Sequence, residues 1–520
     1  GTLDSACTIT LGPNTVSKLW FIENGTSGSQ NIIISQGSGA NITIPAGQTK
    51  AIYSDGAGSG AAMVDAFATL NVVDLLVDDD LTVTGDVAVT GDYSSTTSGT
   101  SNLRLGVNAG NSIASGGNEN VLIGDEAGTA LTTGDRNVAV GFEALKAEDG
   151  HGKNIAIGYQ SLLTLNAGAD GSNVAVGYQS GKLMTEGQFN TLVGSQAGEA
   201  ITTGDQNTAL GNDALLSVTT AGNNVAVGSG AGDAITEGAN NTAIGTVSLT
   251  ADTLGSRSVA IGLEALATQN FTTATDAYNT AVGAGAGQAV TTGVQNTLIG
   301  GLAGDALTDA DFNVAMGYAT LTSDTLGSKS VAIGHSALAT QNFTTATDAY
   351  NIAVGYDAGA AITTGTNNTL IGGLAGDAIT TGGANVAVGT QALSTNQTGG
   401  NSTAIGYQAL FTQNTSGAVY NTAVGNAAGF AVTTGVRNTI IGGLAGDGLT
   451  TADDSTLVGY GAGGAAMTGH DNTAVGMDSL AANTSGNLNT AVGKAAGAAV
   501  TTGVENTFIG GLAGDAVTTG

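Results

Sequence analysis

The run Gly-Ala-Gly-Ala-Gly at 283–287 has the glycine spacing of a loop that wraps a dinucleotide phosphate. Such a loop needs a following helix and an acidic residue in a strand–helix–strand setting, and neither accompanies it, so no nucleotide site is expected. The phrase Gly-Gly-Leu-Ala-Gly-Asp begins at 300, 372, 442 and 510 and places Asp305, Asp377, Asp447 and Asp515 where calcium-binding coils carry a carboxylate. Those coils need carboxylates on consecutive turns, whereas Gln288 stands in register before Asp305. Exposed turn aspartates are the favoured reading; calcium is the single cofactor left open.

Catalytic chemistry has little to work with. His151, His335 and His470 stand singly, so neither a triad nor a zinc centre has its parts. Cys7 is the only cysteine, which removes any intrachain disulfide or thiolate cage. A carboxylate pair for glycan cleavage stays open as a minor alternative, but acids that recur with a repeat are explained by solubility, and the chain is read as no enzyme. Tyr159, Tyr178, Tyr318, Tyr356, Tyr407 and Tyr460 each follow a recurrent glycine and offer rings for sugar contact, against the alternative that they pad a corner or a chain interface. Phe271, Tyr278, Phe343 and Tyr350 lie in two near-identical segments, ATQNFTTATDAYN at 267 and 339, which are four residues longer than the regular unit. They are expected to leave the scaffold as loops, where recognition concentrates.

What positions these residues is a repeat. The glycine closing each Asn-Thr-Ala-Val-Gly phrase falls at 24 positions from Gly106 to Gly510; 18 of the 23 gaps are 17 residues, and the others are longer by one to four. The Thr-Ala-Val triplet is β-prone, the closing glycine and a Thr-Thr-Gly supply corners, and no segment holds a helical period. Each unit is therefore read as one flattened coil with two short strands. Stacked at about 4.8 Å, 24 coils make a rod on the order of 115 Å. The residue four before each marker glycine is Asn in 20 coils and Ser in four, Ser258, Ser330, Ser402 and Ser455. Such a column can satisfy turn backbone groups coil after coil.

The fold class expected is all-β: a small β domain over 1–70, an extended β connector over 71–101, and a parallel β-solenoid over 102–520. The always aliphatic residue before the marker glycine, from Leu105 to Ile509, is assigned to the interior. The residue before that is Ala in sixteen coils, including Ala139, Ala156 and Ala175, and Leu, Ile or Phe in seven. Alternation along a strand turns it outward. Ala226, Ala243, Ala281, Leu298 and Ala315 then become an apolar stripe that parallel copies of the chain would cover.

Composition limits the partners. Eleven Lys plus Arg against 41 Asp plus Glu give a net charge of −30, the wrong sign for a phosphate backbone, so nucleic acid is not expected. No apolar run is long enough for a membrane helix, and no signal peptide is read. Gly1 in place of Met, and an end in mid-phrase, lead to the expectation that these residues are part of something longer.

Two phrases, Ser-Val-Ala-Ile-Gly-Leu-Glu-Ala-Leu-Ala at 258–267 and Ser-Val-Ala-Ile-Gly-His-Ser-Ala-Leu-Ala at 330–339, resemble the head repeats of trimeric autotransporter adhesins. The earlier zone, with IIISQGSGANITIPAGQTK and LTVTGDVAVTGD, is similar to tail-fibre proteins of marine and cyanobacterial phages. The 17-residue pitch is longer than the adhesin repeat and no coiled-coil stalk or anchor barrel follows, which favours the phage fibre. The resemblance implies a homotrimeric shaft on a virion, outside the cell, joined to other virion proteins and reaching a host receptor of the glycan class. A bacterial surface adhesin or extracellular filament is the alternative, and a glycan-binding or glycan-cleaving tailspike the third.

Overall fold

A computed structural model describes residues 4–67 and 98–519, and the chain divides into two compact units, 1–91 and 92–520. The expected connector over 71–101 lies almost wholly outside the described residues. In the first unit, β1 (Cys7–Thr10) pairs parallel with β3 (Ile32–Ser35), which pairs antiparallel with β4 (Ile42–Ile44). A second antiparallel sheet joins β2 (Leu19–Glu23), β5 (Thr49–Ser54) and β6 (Met63–Asp65). Ile34, Ile44, Ile52 and Met63 form its small core.

The second unit is a β-solenoid of 24 coils, with no α-helix among the described residues. Each coil contributes one three-residue strand, from β7 (Leu103–Leu105) to the last at Thr507–Ile509, and each strand pairs parallel and in register with that of the next coil. The second strand expected in every coil is absent as a rule. The opposite wall consists of turns that still bond from coil to coil, as in Thr202 N–H to Thr219 O at 2.9 Å and Thr219 N–H to Thr236 O at 3.0 Å. Two-residue strands appear there only beside the insertions, for example Gly255–Ser256 with Thr275–Asp276.

Register inside the strand is the reverse of the sequence reading. The strand centre points inward: Ala139, Ala156, Ala175, Leu192, Ala226, Ala281, Leu298 and Ala315 are fully buried and Ala243 is 1% exposed within a single chain. The aliphatic residue before the marker glycine faces out. The cause is the width of the coil. At no level do the strand centre and the facing turn position both carry a large side chain. Where the strand centre is Ala, as at Ala139 or Ala315, the turn supplies Leu145 or Leu321. Where the centre is Leu298, the turn carries Gly304, whose Cβ would sit 2.8 Å from a Leu298 methyl. Where both are small, as at Ala226 with Gly232, a neighbouring coil fills the space: a Cβ on Gly232 would lie 3.1 Å from a Leu215 methyl.

Two further features hold the pitch. At the marker glycine, φ is +135° at Gly228, and a Cβ there would meet the carbonyl oxygen of Gly245 at 2.6 Å, so both conformation and close stacking demand glycine. The asparagine column is buried and doubly bonded. Asn224 receives Asn241 N–H on its Oδ1 at 2.9 Å and donates Nδ2 at 2.9 Å to Gly238 O, at the corner leading into the next strand. The same pair recurs at Asn207 and Asn438.

Replacing Asn224 by Ala strands the Gly238 carbonyl and the Asn241 N–H in a buried setting, which costs about 1–3 kcal/mol per unsatisfied group. Thermal unfolding of the variant should show a lowered midpoint, and hydrogen exchange should show loss of protection centred on the coils of 207–241. An unchanged midpoint would remove the column from the forces that hold the stack.

Candidate functional site: the outward strand face and the aromatic corner

With the strand centres inside, two columns of each strand face solvent: the first residue, Thr or Val in most coils, and the third, Val or Ile in most. Ile244, Ile371 and Ile441 in the third column are 36%, 39% and 40% exposed. The ladder runs unbroken over all 24 coils. Ala226, Ala243, Ala281, Leu298 and Ala315 are not on this surface, because they fill the coil.

The corner column after the marker glycine carries the expected aromatics, and they are exposed. Tyr159 stacks on Phe142 and Tyr178 on Tyr159, with ring centroids 5.5 and 5.4 Å apart and planes within 14°. Tyr318, His335 and Tyr356 form a second stack at 5.6 and 5.4 Å. Rings stacked on each other have already spent the faces a sugar would use, and the inner rings offer edges alone. Tyr407 and Tyr460 are exposed without such a stack among the described residues.

The long segments depart from expectation. Phe271 and Phe343 do not reach solvent; they are 5% and 6% exposed, with Phe271 against Gly255. Tyr278 and Tyr350 do, at 50% and 51%, beneath Arg257 and Lys329 at 5.5 and 5.3 Å from the ring centres. The segment folds back because its buried polar groups match the preceding coil. Gln269 Nε2 donates to Asp252 Oδ2 at 2.6 Å and to Ser258 Oγ at 3.0 Å, and its Oε1 accepts from Asn279 at 2.9 Å. Gln341, Asp324, Ser330 and Asn351 repeat this. Each Ser in the asparagine column here has a Gln beside it, a pairing visible in the sequence as Ser-x10-Gln but without meaning until the coil brings the two together. The stretch 268–271 therefore contains buried packing and is not a dispensable tip.

Asp305 and Asp377 are held by hydroxyls of the next coil, Thr322 and Ser394, both at 2.5 Å. Neither they nor Asp447 and Asp515 gather into a group of three donors. Among the described residues one such group exists, Glu148, Asp149 and His151, which the reading of His151 as solitary missed. The acidic charge is spread along the coils: eight of the eleven basic residues sit in ion pairs, such as Arg136 with Glu119 at 2.8 Å and Lys153 with Asp170 at 2.7 Å. No helix among the described residues is long and apolar enough to cross a membrane.

No family model matches the chain, and no curated protein or solved structure matches it.

Burial pushes the Asp252 carboxyl above the usual range, against the hydrogen bonds from Gln269, Gly255 and Phe271 that favour its ionised form. A raised folded pKa means that the native state takes up a proton before the unfolded chain does, so its penalty is present at neutral pH and is relieved as pH falls through the folded pKa. The stability of the wild type relative to Asp252→Asn should therefore shift in favour of the wild type as pH falls from 7 toward the ordinary carboxylate range. Thermal unfolding of both across that window is the check, and a difference independent of pH would contradict it.

Proposed function

We propose that the solenoid is the shaft of an adhesive fibre, a phage tail fibre, chemically passive, assembled as a parallel homotrimer through its outward strand face. The observation that carries this reading is the continuous apolar ladder on that face. At roughly 50 Å² of exposed aliphatic surface per coil, 24 coils present on the order of 1,200 Å², above the ~300–600 Å² of the largest patch on a typical monomer and above the ~800 Å² per partner of a standard interface. A surface that repeats at every coil is matched along its whole length by a partner of the same pitch, and a second copy of the chain has it. The number three, the virion and the host receptor come from the resemblance of the repeats and of the N-terminal zone. Repeated receptor contacts at the end of such a shaft multiply weak affinities.

The sedimentation test separates inside from outside. Ile244→Asp, Ile371→Asp and Ile441→Asp combined should convert a trimer into a folded monomer with its β circular dichroism intact, since each aspartate remains in water until copies meet. Ala226→Asp, Ala243→Asp and Ala281→Asp should instead unfold the coils, because the charges would lie in the core. A wild-type monomer, or a trimer indifferent to the outward changes, would overturn the assembly. Antibodies against the solenoid should decorate tail fibres of virions in immunogold micrographs; labelling of a bacterial surface instead would assign the shaft to a cellular adhesin.

A further inference from the structure

Seven residues after most marker glycines, the coil buries an aliphatic side chain, such as Leu131, Leu165, Ile201 or Ile235. In the coils just before the two long insertions Asp252 and Asp324 replace it, each bonded by the Gln amide at the same position of the insertion coil. Asn396 and Asn483 stand there too, and like these aspartates Glu148 accepts the N–H three residues on, but among the described residues it is the one carboxylate of the three with no side-chain amide donor. It is fully buried between the levels of Leu131 and Leu165, and its hydrogen bonds come from two backbone groups, His151 N–H at 3.0 Å and Ala167 N–H at 3.3 Å. No Lys or Arg pairs with it; the one cation-forming group at ion-pair distance is His151, with Nδ1 3.6 Å from Glu148 Oε1.

That nitrogen is itself anomalous. His151 Nδ1 is buried and has no hydrogen-bond partner. The corresponding atoms of His335 and His470 are bonded to Ser336 Oγ at 2.9 Å and to Asp453 N–H at 3.0 Å. The Asp149 carboxylate completes a set of three donor atoms that all lie within 4.8 Å of one another. The turn carrying them is fixed from outside: Asp149 O accepts Thr132 N–H at 2.6 Å and Thr132 Oγ1 at 2.8 Å, and His151 O accepts Asn137 Nδ2 at 3.2 Å.

We propose that this turn binds one divalent transition-metal ion of the zinc class per chain, through a Glu148 carboxylate oxygen, His151 Nδ1 and the Asp149 carboxylate, with water in the fourth position. Bond lengths of about 2.0–2.1 Å in a tetrahedron put donors roughly 3.3–3.5 Å apart, so the Glu148–His151 pair already stands near the required separation and the exposed Asp149 side chain closes the rest. An imidazole nitrogen among the donors selects zinc-class ions over calcium or magnesium. Two carboxylates and a neutral imidazole balance the ion, which accounts for a carboxylate placed in an aliphatic column with no cationic side chain of Lys or Arg. The ion would pin the coil that precedes a two-residue insertion, the 19-residue step from Gly158 to Gly177.

The full chain, stripped with EDTA and titrated with zinc sulfate in a calorimeter, should take up one ion per chain. His151→Ala, whose side chain is a third exposed and whose loss leaves the coil packing in place, should weaken uptake by at least about tenfold, the lower end of what even outer-shell partners of metals contribute. Cobalt(II) in place of zinc should give the visible band of a four-coordinate site in the wild type and lose it in His151→Ala. His335→Ala and His470→Ala should keep uptake unchanged. No saturable one-to-one binding, or binding that survives His151→Ala, would overturn the site, as would loss confined to the His335 or His470 variant.

Discussion

One hydrogen-bonding arrangement sets the geometry of the solenoid: the side-chain amide of the buried asparagine column. Its oxygen takes the backbone N–H of the equivalent residue in the next coil, and its nitrogen takes the carbonyl of the corner that leads into that next strand. Both bonds join one coil to the start of the next, so a single residue type fixes the axial step and the placement of the corner. Because the oxygen of Asn207 reaches the backbone of Asn224 and that of Asn224 reaches Asn241, register cannot slip by one residue without breaking a buried bond at every level. The strand ladder, the inward alanines and the outward aliphatic columns all follow from that fixed phase.

Within the fixed cross-section the interior behaves as a shared volume. Leucine comes from the strand at Leu298 and from the turn at Leu321, and the facing position shrinks to Gly304 or Ala315 in each case. Polar residues enter this interior only as matched sets. The Ser258 coil loses an asparagine amide and receives Gln269, whose own donor is taken by Asp252. A buried carboxylate is tolerated there because Gln269 and two backbone N–H groups meet it, at the expense of a raised affinity for protons. The ordered insertions thus belong to the core as much as to the surface.

The repeat length, the coil count, the corner glycines and the asparagine column were legible in the sequence because each is periodic, and periodicity survives without knowledge of the third dimension. The direction of the strand was not. Val140 and Ala139 are both apolar, so alternation could not say which faced inward, and size suggested the larger. The answer depends on how far away the opposite turn lies, which is set by Leu145, a residue whose left-handed conformation at φ +51° gives no signal in the sequence. The corner tyrosines were placed correctly as exposed, but stacking on their neighbours is a relation between coils. Phe271 and Phe343 were assigned to solvent because extra length reads as a loop; burial beside Gly255 needed the paired Gln and Asp to be seen across two levels. Glu148 stands in the column of Leu131 and Leu165, but its pairing with His151 three residues on gives no periodic signal, since the other two histidines occupy different positions of the coil.

The volume-sharing rule acts between adjacent coils and no further. The two long segments at 267 and 339 begin 72 residues apart, a distance spanned by four complete coils. A gene that gained or lost such a block by unequal recombination would rejoin Asn to Asn and marker glycine to marker glycine, and the seam would face no packing problem that the existing seams have not solved. Length is therefore a heritable quantity that can change in whole steps while the cross-section stays constant, and the distance over which the molecule reaches can evolve independently of how it folds.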